Sequence, residues 1–157
     1  MQDPVLHTHT LLLKNNLTVA TAESCTAGLL SFLLTRLPGS SSFFTFGAIT
    51  YSNEAKNRIL GIPHSIIRQH GAVSRRVAIL MAGNVRRIAG TDIGVSITGI
   101  AGPSGGTAHK PVGTVYIAVA RRSGTVCQKH LFKGSRTSIR RQAACAAVKK
   151  IGTFLSR

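Results

Sequence analysis

"LTVATAESCTAGLLSFLLTRL", residues 17–37, decides the fold. Residues 17–23 are rich in β-branched side chains and read as a strand. Residues 26–37, "TAGLLSFLLTRL", are apolar on most sides, which suits a buried helix. A strand that turns directly into a buried helix opens an α/β unit. Outward from it the pattern continues. Asp3-Pro4 reads as an N-cap followed by proline at the first helical position, starting a helix that runs to about Asn15. "PGSSS", 38–42, is a loop, and "FFTFGAITYS", 43–52, is a strand in which Gly47 marks a bulge or a close backbone approach. A short helix starts at Asn53 or Glu54 and is stopped by Gly61 and Pro63. Ser74 caps a helix over 75–89 with Val77, Met81 and Ile88 on one side and Arg75, Arg76, Arg86 and Arg87 on the other. "DIGVSITGI", 92–100, is a strand followed by the loop "AGPSGG". Strands 113–122 and 124–132 form a hairpin. Thr137 or Ser138 caps a last, alanine-rich helix, with Lys149 and Lys150 near its end. The expected architecture is α/β: a single three-layer domain over residues 1–157, its mixed, mainly parallel sheet flanked by helices.

A chain of 157 residues can bury a core without staples. With 20 Lys+Arg against 4 Asp+Glu, its field attracts anions: nucleic acid, acidic membranes or phosphorylated small molecules. A general drift toward basic residues explains the same numbers. Cys25, Cys127 and Cys145 form no CxxC pair and suit reduced thiols in a cytoplasmic protein. No segment has the length of a membrane span or the form of a signal peptide, and the six histidines show no metal-binding spacing.

Four stretches could carry chemistry. In "AESCTAG", 22–28, Ser24, Cys25 and Thr26 sit where a strand ends and a helix starts. Backbone N–H groups there favour an anion, but Ser and Thr are also simply good caps. Glu23 is not explained as a cap, because a carboxylate at a strand's end needs a partner. "TGIAGPSGGT", 98–107, puts Thr98, Gly99, Gly102, Gly105 and Gly106 after another strand, at the edge where ligands bind in open α/β sheets. It matches neither a dinucleotide fingerprint nor a P-loop, and a plain connecting loop has the same composition. In "TYSNEAKNRILG", 50–61, Tyr51 and Lys56 span a turn into a helix. A lysine with a lowered pKa can serve as base for a serine, whereas a solvated lysine on a surface helix has the same spacing. No Ser-His-Asp set is apparent, since the aspartates, Asp3 and Asp92, lie at the terminus and at the start of a strand. Finally, four Arg-Arg pairs (75–76, 86–87, 121–122, 140–141) would suit phosphates, yet no aromatics are interleaved for base stacking. A nucleic-acid-binding module is therefore possible but not favoured.

Together, "TAESCTAGLL", "PGSS" with Phe43, "YSNEAK" with "LGI", "GAVS", "TGIAGPSGGT" and "KPVGTV" resemble, in order and spacing, the CinA C-terminal domain family, over about residues 17–148. That family is similar to bacterial nicotinamide mononucleotide amidase. The resemblance implies hydrolysis of the carboxamide of nicotinamide mononucleotide to nicotinate mononucleotide and ammonia, as part of NAD recycling. It implies no metal and no organic cofactor. It implies Ser41, the second serine of GSS, as nucleophile, with Tyr51 and Lys56 as its proton-transfer partners. Ser24 is the rival for nucleophile, and the choice stays open. Ser24 and Thr98 are implied to line the site, and Arg136 to contact the phosphate; Thr26 and the loop glycines are expected there from their place after the strands. The expected partners are a small nucleotide and, as a homo-oligomer, further copies of the chain. A family member that binds a nucleotide without hydrolysing it is the other alternative.

The chain departs from the family pattern at Ala27, Phe46, Arg75, Arg76 and Ser135, none of which removes an implied catalytic residue. The family is often fused to an N-terminal molybdopterin-binding-like domain. With no room for one here, the standalone form is expected.

Overall fold

Proline at N1 and the Asp3 carboxylate on the Val5 N–H start the first element as the local sequence demands. The structure, a computed structural model, describes residues 3–156. Its elements are α1 (Pro4–Lys14), β1 (Val19–Glu23), α2 (Leu29–Thr35), β2 (Phe44–Ile49), α3 (Asn53–Leu60), α4 (His64–His70), α5 (Arg75–Ala89), β3 (Ile93–Gly99), β4 (Thr114–Arg121), β5 (Gly124–Leu131) and α6 (Arg136–Leu155). One five-stranded sheet runs β2-β1-β3-β4-β5. β1 is parallel to both β2 and β3, and β4 is antiparallel to β3 and β5. Only β4 therefore runs against the rest, as the expected mixed, mainly parallel sheet requires.

The strand order dictates the layers. The chain moves from β1 outward to β2 through α2, then returns past β1 to β3 through α3, α4 and α5. Right-handed crossovers in opposite directions put their helices on opposite faces. Accordingly α2 packs with α1 and α6 on one face, while α5 lies against β1, β3 and β4 on the other. Each face has its own core: Leu12, Leu30, Phe43, Ile139 and Ile151 with inward residues of β1, β3 and β4, and Leu60, Ile62, Val77, Met81 and Val85 against Ala20 and Ala22. The reversal beside the carboxyl end of β1 makes a crevice there, the usual ligand position in such sheets. α5 sits so close to β3 that a Cβ on Gly94 would lie 2.1 Å from the Ala82 carbonyl oxygen. Among the described residues no helix is long and apolar enough to cross a membrane.

Several expectations are corrected. The helix after β1 starts at Leu29, not at 26. Ala27 (φ 47°) and Gly28 (φ 99°) are left-handed, so residues 24–28 form a turn. α4 is an additional seven-residue helix between Pro63 and Gly71. Ile88 is exposed, and Asn84 and Val85 take the inward positions of that turn. α6 is capped by Ser135, whose Oγ accepts from the Ser138 N–H, instead of by Thr137 or Ser138. Gly47 marks a close approach: its missing Cβ leaves room for the Ser31 and Thr21 hydroxyls, while the bulge lies earlier, opposite Val19 and Ala20.

All four carboxylates work at the starts of elements. Asp3 caps α1 and pairs with Arg36. Glu54, in the first turn of α3, pairs with Arg58 and His64. Asp92 accepts from the N–H and hydroxyl of Thr18 at 2.8 Å each, tying the start of β1 to that of β3. Glu23 belongs to the site.

Candidate active site

Parallel pairing of β1 with β2 brings Glu23 opposite Ile49, so Ser24 and Thr50 leave the sheet side by side. From Thr50 the chain turns into α3, where Ser52 caps through the Ala55 N–H. One turn on, Lys56 points back under the sheet edge and is 1% exposed. Its Nζ lies 3.1 Å from Ser24 Oγ, 2.9 Å from the Thr50 carbonyl and 3.5 Å from the Tyr51 carbonyl. Among the described residues no carboxylate pairs with it. Burial brings its pKa down from 10.5 to about 8, with Cys25 opposing the shift. As a neutral amine, Lys56 can give two N–H groups to the two carbonyls and keep its lone pair for the Ser24 hydroxyl proton. The carbonyls thus select the orientation a general base needs.

Glu23, the last residue of β1, is 1% exposed, and its carboxylate accepts four hydrogen bonds. They come from the N–H groups of Gly28 (3.0 Å), Leu30 (3.1 Å) and Ser31 (2.9 Å) and the Ser31 hydroxyl (2.7 Å). The N-terminus of α2 is therefore filled by the protein's own anion. This corrects the expectation of an anion site at residues 24–26 and supplies the partner that Glu23 required.

A cavity of about 270 Å³ opens at this edge, lined on one side by Ser24, Cys25 and Lys56 and on the others by Tyr51, Asn53, Ala72 and Val73, by Thr98–Gly102, and by Ser104, Gly105 and Arg136. Thr98, Gly99, Gly102, Gly105 and Arg136 are thus assembled with Ser24, Tyr51 and Lys56. The Thr98 hydroxyl donates to the Ala72 carbonyl at 2.8 Å, tying β3 to the loop before α5. Arg136, the first residue of α6, donates to the Tyr51 hydroxyl (2.9 Å) and the Gly102 carbonyl (2.7 Å). Another hollow, of about 290 Å³, lies between β5 and the end of α6 and is lined by Gln128, His130, Lys149, Lys150 and Thr153.

Three expected residues stand elsewhere. Ser41 lies in a 3₁₀ turn, Ser40–Ser42, before the amino end of β2. Lys56 follows the carboxyl end, so six strand residues, roughly 20 Å at ~3.3 Å each, separate the two. The expected Ser41–Lys56 pairing is not formed: the sheet's polarity puts them at opposite edges. Thr26 is wholly buried outside the cavity, and its hydroxyl has no hydrogen-bond partner among the described residues. Gly106 is a packing position, where a Cβ would lie 2.7 Å from the Val112 N–H nitrogen. Tyr51 meets Lys56 through its carbonyl, and its hydroxyl faces Arg136 on the rim.

Neither Cys25 nor Arg140 stood among the expected site residues, although Cys25 lies in "AESCTAG" and Arg140 in an Arg-Arg pair. The Cys25 thiol is buried beside Ser24, and burial raises its pKa to about 11, so it stays protonated near neutrality. Arg140 reaches from α6 to the carbonyls of Cys25 (2.9 Å) and Thr26 (3.0 Å). Its partners lie 115 and 114 residues away, beyond any local pattern.

The family model described as the CinA C-terminal domain matches residues 3–155. A putative competence-damage inducible protein of Desulforudis audaxviator is 46% identical over 147 residues, covering 94% of this chain and 36% of that protein. One from Acetivibrio thermocellus is 52% identical over 130 residues, covering 83% and 32%. The chain thus spans about a third of the length of these relatives. Among solved structures, the competence/damage inducible protein CihA of Agrobacterium tumefaciens superposes with a TM-score of 0.93 at 35% identity, covering 100% of this chain and 98% of that one. The competence damage-inducible protein A of Klebsiella pneumoniae gives 0.94 at 29%, covering 98% and 96%. With a family model matched over nearly its whole length, the chain belongs to the CinA C-terminal domain family.

Proposed function

We propose that the chain is a serine amidohydrolase that converts nicotinamide mononucleotide and water to nicotinate mononucleotide and ammonia, in pyridine nucleotide recycling. Ser24 is the nucleophile and Lys56 its base. One observation carries this reading: a buried lysine without a carboxylate partner, its pKa brought down to about 8, lies 3.1 Å from a serine hydroxyl in a cavity. The substrate itself comes from the resemblance stated above.

In this scheme neutral Lys56 takes the Ser24 proton as Oγ attacks the carboxamide carbon. The oxyanion that forms needs donors; the candidates are the Cys25 N–H, directly after the nucleophile, and those of the glycine loop, residues that line the same cavity. The Lys56 ammonium then protonates the departing nitrogen, ammonia leaves, and Ser24 holds the nicotinoyl group as an ester. Water attacks the ester as Lys56 takes its proton, and that proton returns to Ser24 Oγ as the carboxylate is released. Arg136, at the rim, is the cation for the 5′-phosphate, leaving Tyr51 to bind it.

Cys25 is a weaker candidate nucleophile because its thiol lies far above neutrality. A nucleic-acid-binding module is less well supported. α5 and α6 cover opposite faces of the sheet, so their arginine pairs form no single stripe, and Arg75 and Arg140 are engaged with backbone carbonyls. The test is ammonia release from nicotinamide mononucleotide by purified protein. Turnover lost with Ser24→Ala and kept with Ser41→Ala supports the scheme; the reverse pattern sinks it. A parent that binds the nucleotide without releasing ammonia establishes the non-hydrolysing alternative.

A further inference from the structure

We propose that Arg140 is a positioning residue: by gripping the carbonyls of Cys25 and Thr26, its guanidinium holds Ser24 Oγ on the lone pair of Lys56. This rests on the reading of Ser24 and Lys56 as nucleophile and base.

The segment carrying Ser24 has little to hold it. It belongs to neither β1 nor α2, and it includes a left-handed alanine, Ala27, a backbone state unfavourable to an L-residue. Its own backbone bonds are Ser24 N–H to the Ile97 carbonyl, Ala27 N–H to that of Ser24 and Leu29 N–H to that of Thr26. Glu23 holds the downstream end, at Gly28, Leu30 and Ser31. Between these anchors, the side-chain grip on Cys25 and Thr26 is the Arg140 Nε and Nη2 pair. A planar guanidinium can serve two successive carbonyls at once, whereas an ammonium is a point donor.

Arg136 sits one helical turn earlier and grips the opposite rim, at Tyr51 and Gly102. The first two turns of α6 thus tie together the Ser24 turn, the Tyr51 turn and the glycine loop. The two arginines differ in one respect. Arg136 lines the cavity and can meet substrate; Arg140 does not line it and acts through the turn. Removing Arg136 weakens binding, while removing Arg140 misplaces the nucleophile. Charge loss at position 140 does not retune the base, because Lys56 owes its lowered pKa to burial.

The test uses the full chain with Arg140→Lys and Arg140→Met, and Arg141→Met as the exposed neighbouring control. Three quantities are measured: kcat and KM for nicotinamide mononucleotide across pH, the rate at which a small neutral fluorophosphonate labels Ser24 (located by mass spectrometry), and Tm. Expected are falls in kcat and labelling rate of roughly 10- to 100-fold for Arg140→Met and less for Arg140→Lys, with KM within about 2-fold. The pH midpoint stays in place, and the Arg140→Lys Tm stays near the parent's. Unchanged labelling, a change confined to KM, or losses that track a fall in Tm in both variants would overturn the proposal. If the parent is labelled at Ser24 but releases no ammonia, the amidase reading fails and the labelling rates still decide Arg140. If the parent is not labelled at Ser24, the proposal falls with the dyad.

Discussion

Two serine turns flank the sheet, and they could hardly differ more. The Ser41 turn sits before the amino end of β2, exposed, on a short 3₁₀ helix. The Ser24 turn leaves the carboxyl end of β1, is almost wholly buried, and is held by Glu23 on one side and Arg140 on the other. Both are rich in hydroxyls, and the resemblance favours Ser41 as nucleophile with Ser24 as its rival. What separates them is the direction of the strands. At the carboxyl edge, crossovers leave in opposite directions and open a crevice; at the amino edge no such crevice is built. A serine becomes a candidate nucleophile here because of the base it meets, and Ser24 meets buried Lys56 at 3.1 Å.

The sharpest way to break the comparison is to exchange the burden between the turns. Ser24→Ala should lower kcat by roughly 10⁴-fold or more, as loss of a serine nucleophile does elsewhere, when ammonia release is followed under saturating substrate. Lys56→Met should lower it almost as far and yet raise stability at pH 7 by about 1–2 kcal/mol in urea unfolding. That is the ~3 kcal/mol cost of keeping a proton on a lysine shifted from 10.5 to about 8, less the loss of donors to two carbonyls. The sign follows from linkage. Below about pH 8 both folded and unfolded lysine are protonated, and the cost is felt in full. Between about 8 and 10.5 only the unfolded chain binds the proton, so parent stability rises with pH and the advantage of Lys56→Met fades. Catalysis requires the neutral amine, so parent kcat should rise about tenfold per pH unit up to a midpoint near 8 and then level off. A flat profile through pH 8 would remove Lys56 as base.

Smaller effects sharpen the contrast. Glu23→Ala leaves three N–H groups at the start of α2 unpaired and should cost about 2–3 kcal/mol in urea unfolding. Arg136→Ala should raise KM roughly 10- to 100-fold with little change in kcat, since a charge-assisted phosphate contact contributes about 1.5–3 kcal/mol. Ser41→Ala should change kcat by less than about 2-fold, as a surface substitution does. A larger loss there would restore the amino-edge serine to the mechanism.

How far the sequence carried the reading depended on range. The caps at Asp3 and Ser74, the stop at Gly61 and the β4–β5 hairpin are local signals, acting within four residues. The start of α2 is not local, because Glu23 caps from eight residues upstream of Ser31 and the apolar pattern runs straight through a left-handed alanine. α4 has only seven residues between two breakers and shows no period. In the site, Tyr51, Lys56, Ser24 and the glycine loop are legible as polar residues at strand ends. Which serine faces Lys56 is fixed by the pairing of β1 with β2 and by the edge on which each turn lies, and neither is written in spacing.

The assignment of all four carboxylates to element starts has a consequence for how the molecule meets its surroundings. The four acids leave a formal net charge of +16, so the crevice stands in a field that concentrates anions before any contact forms. Capture of a phosphorylated ligand should therefore slow as ionic strength rises past the ~10 Å screening length of 0.1 M salt, and inorganic phosphate in the assay buffer should compete for the same rim.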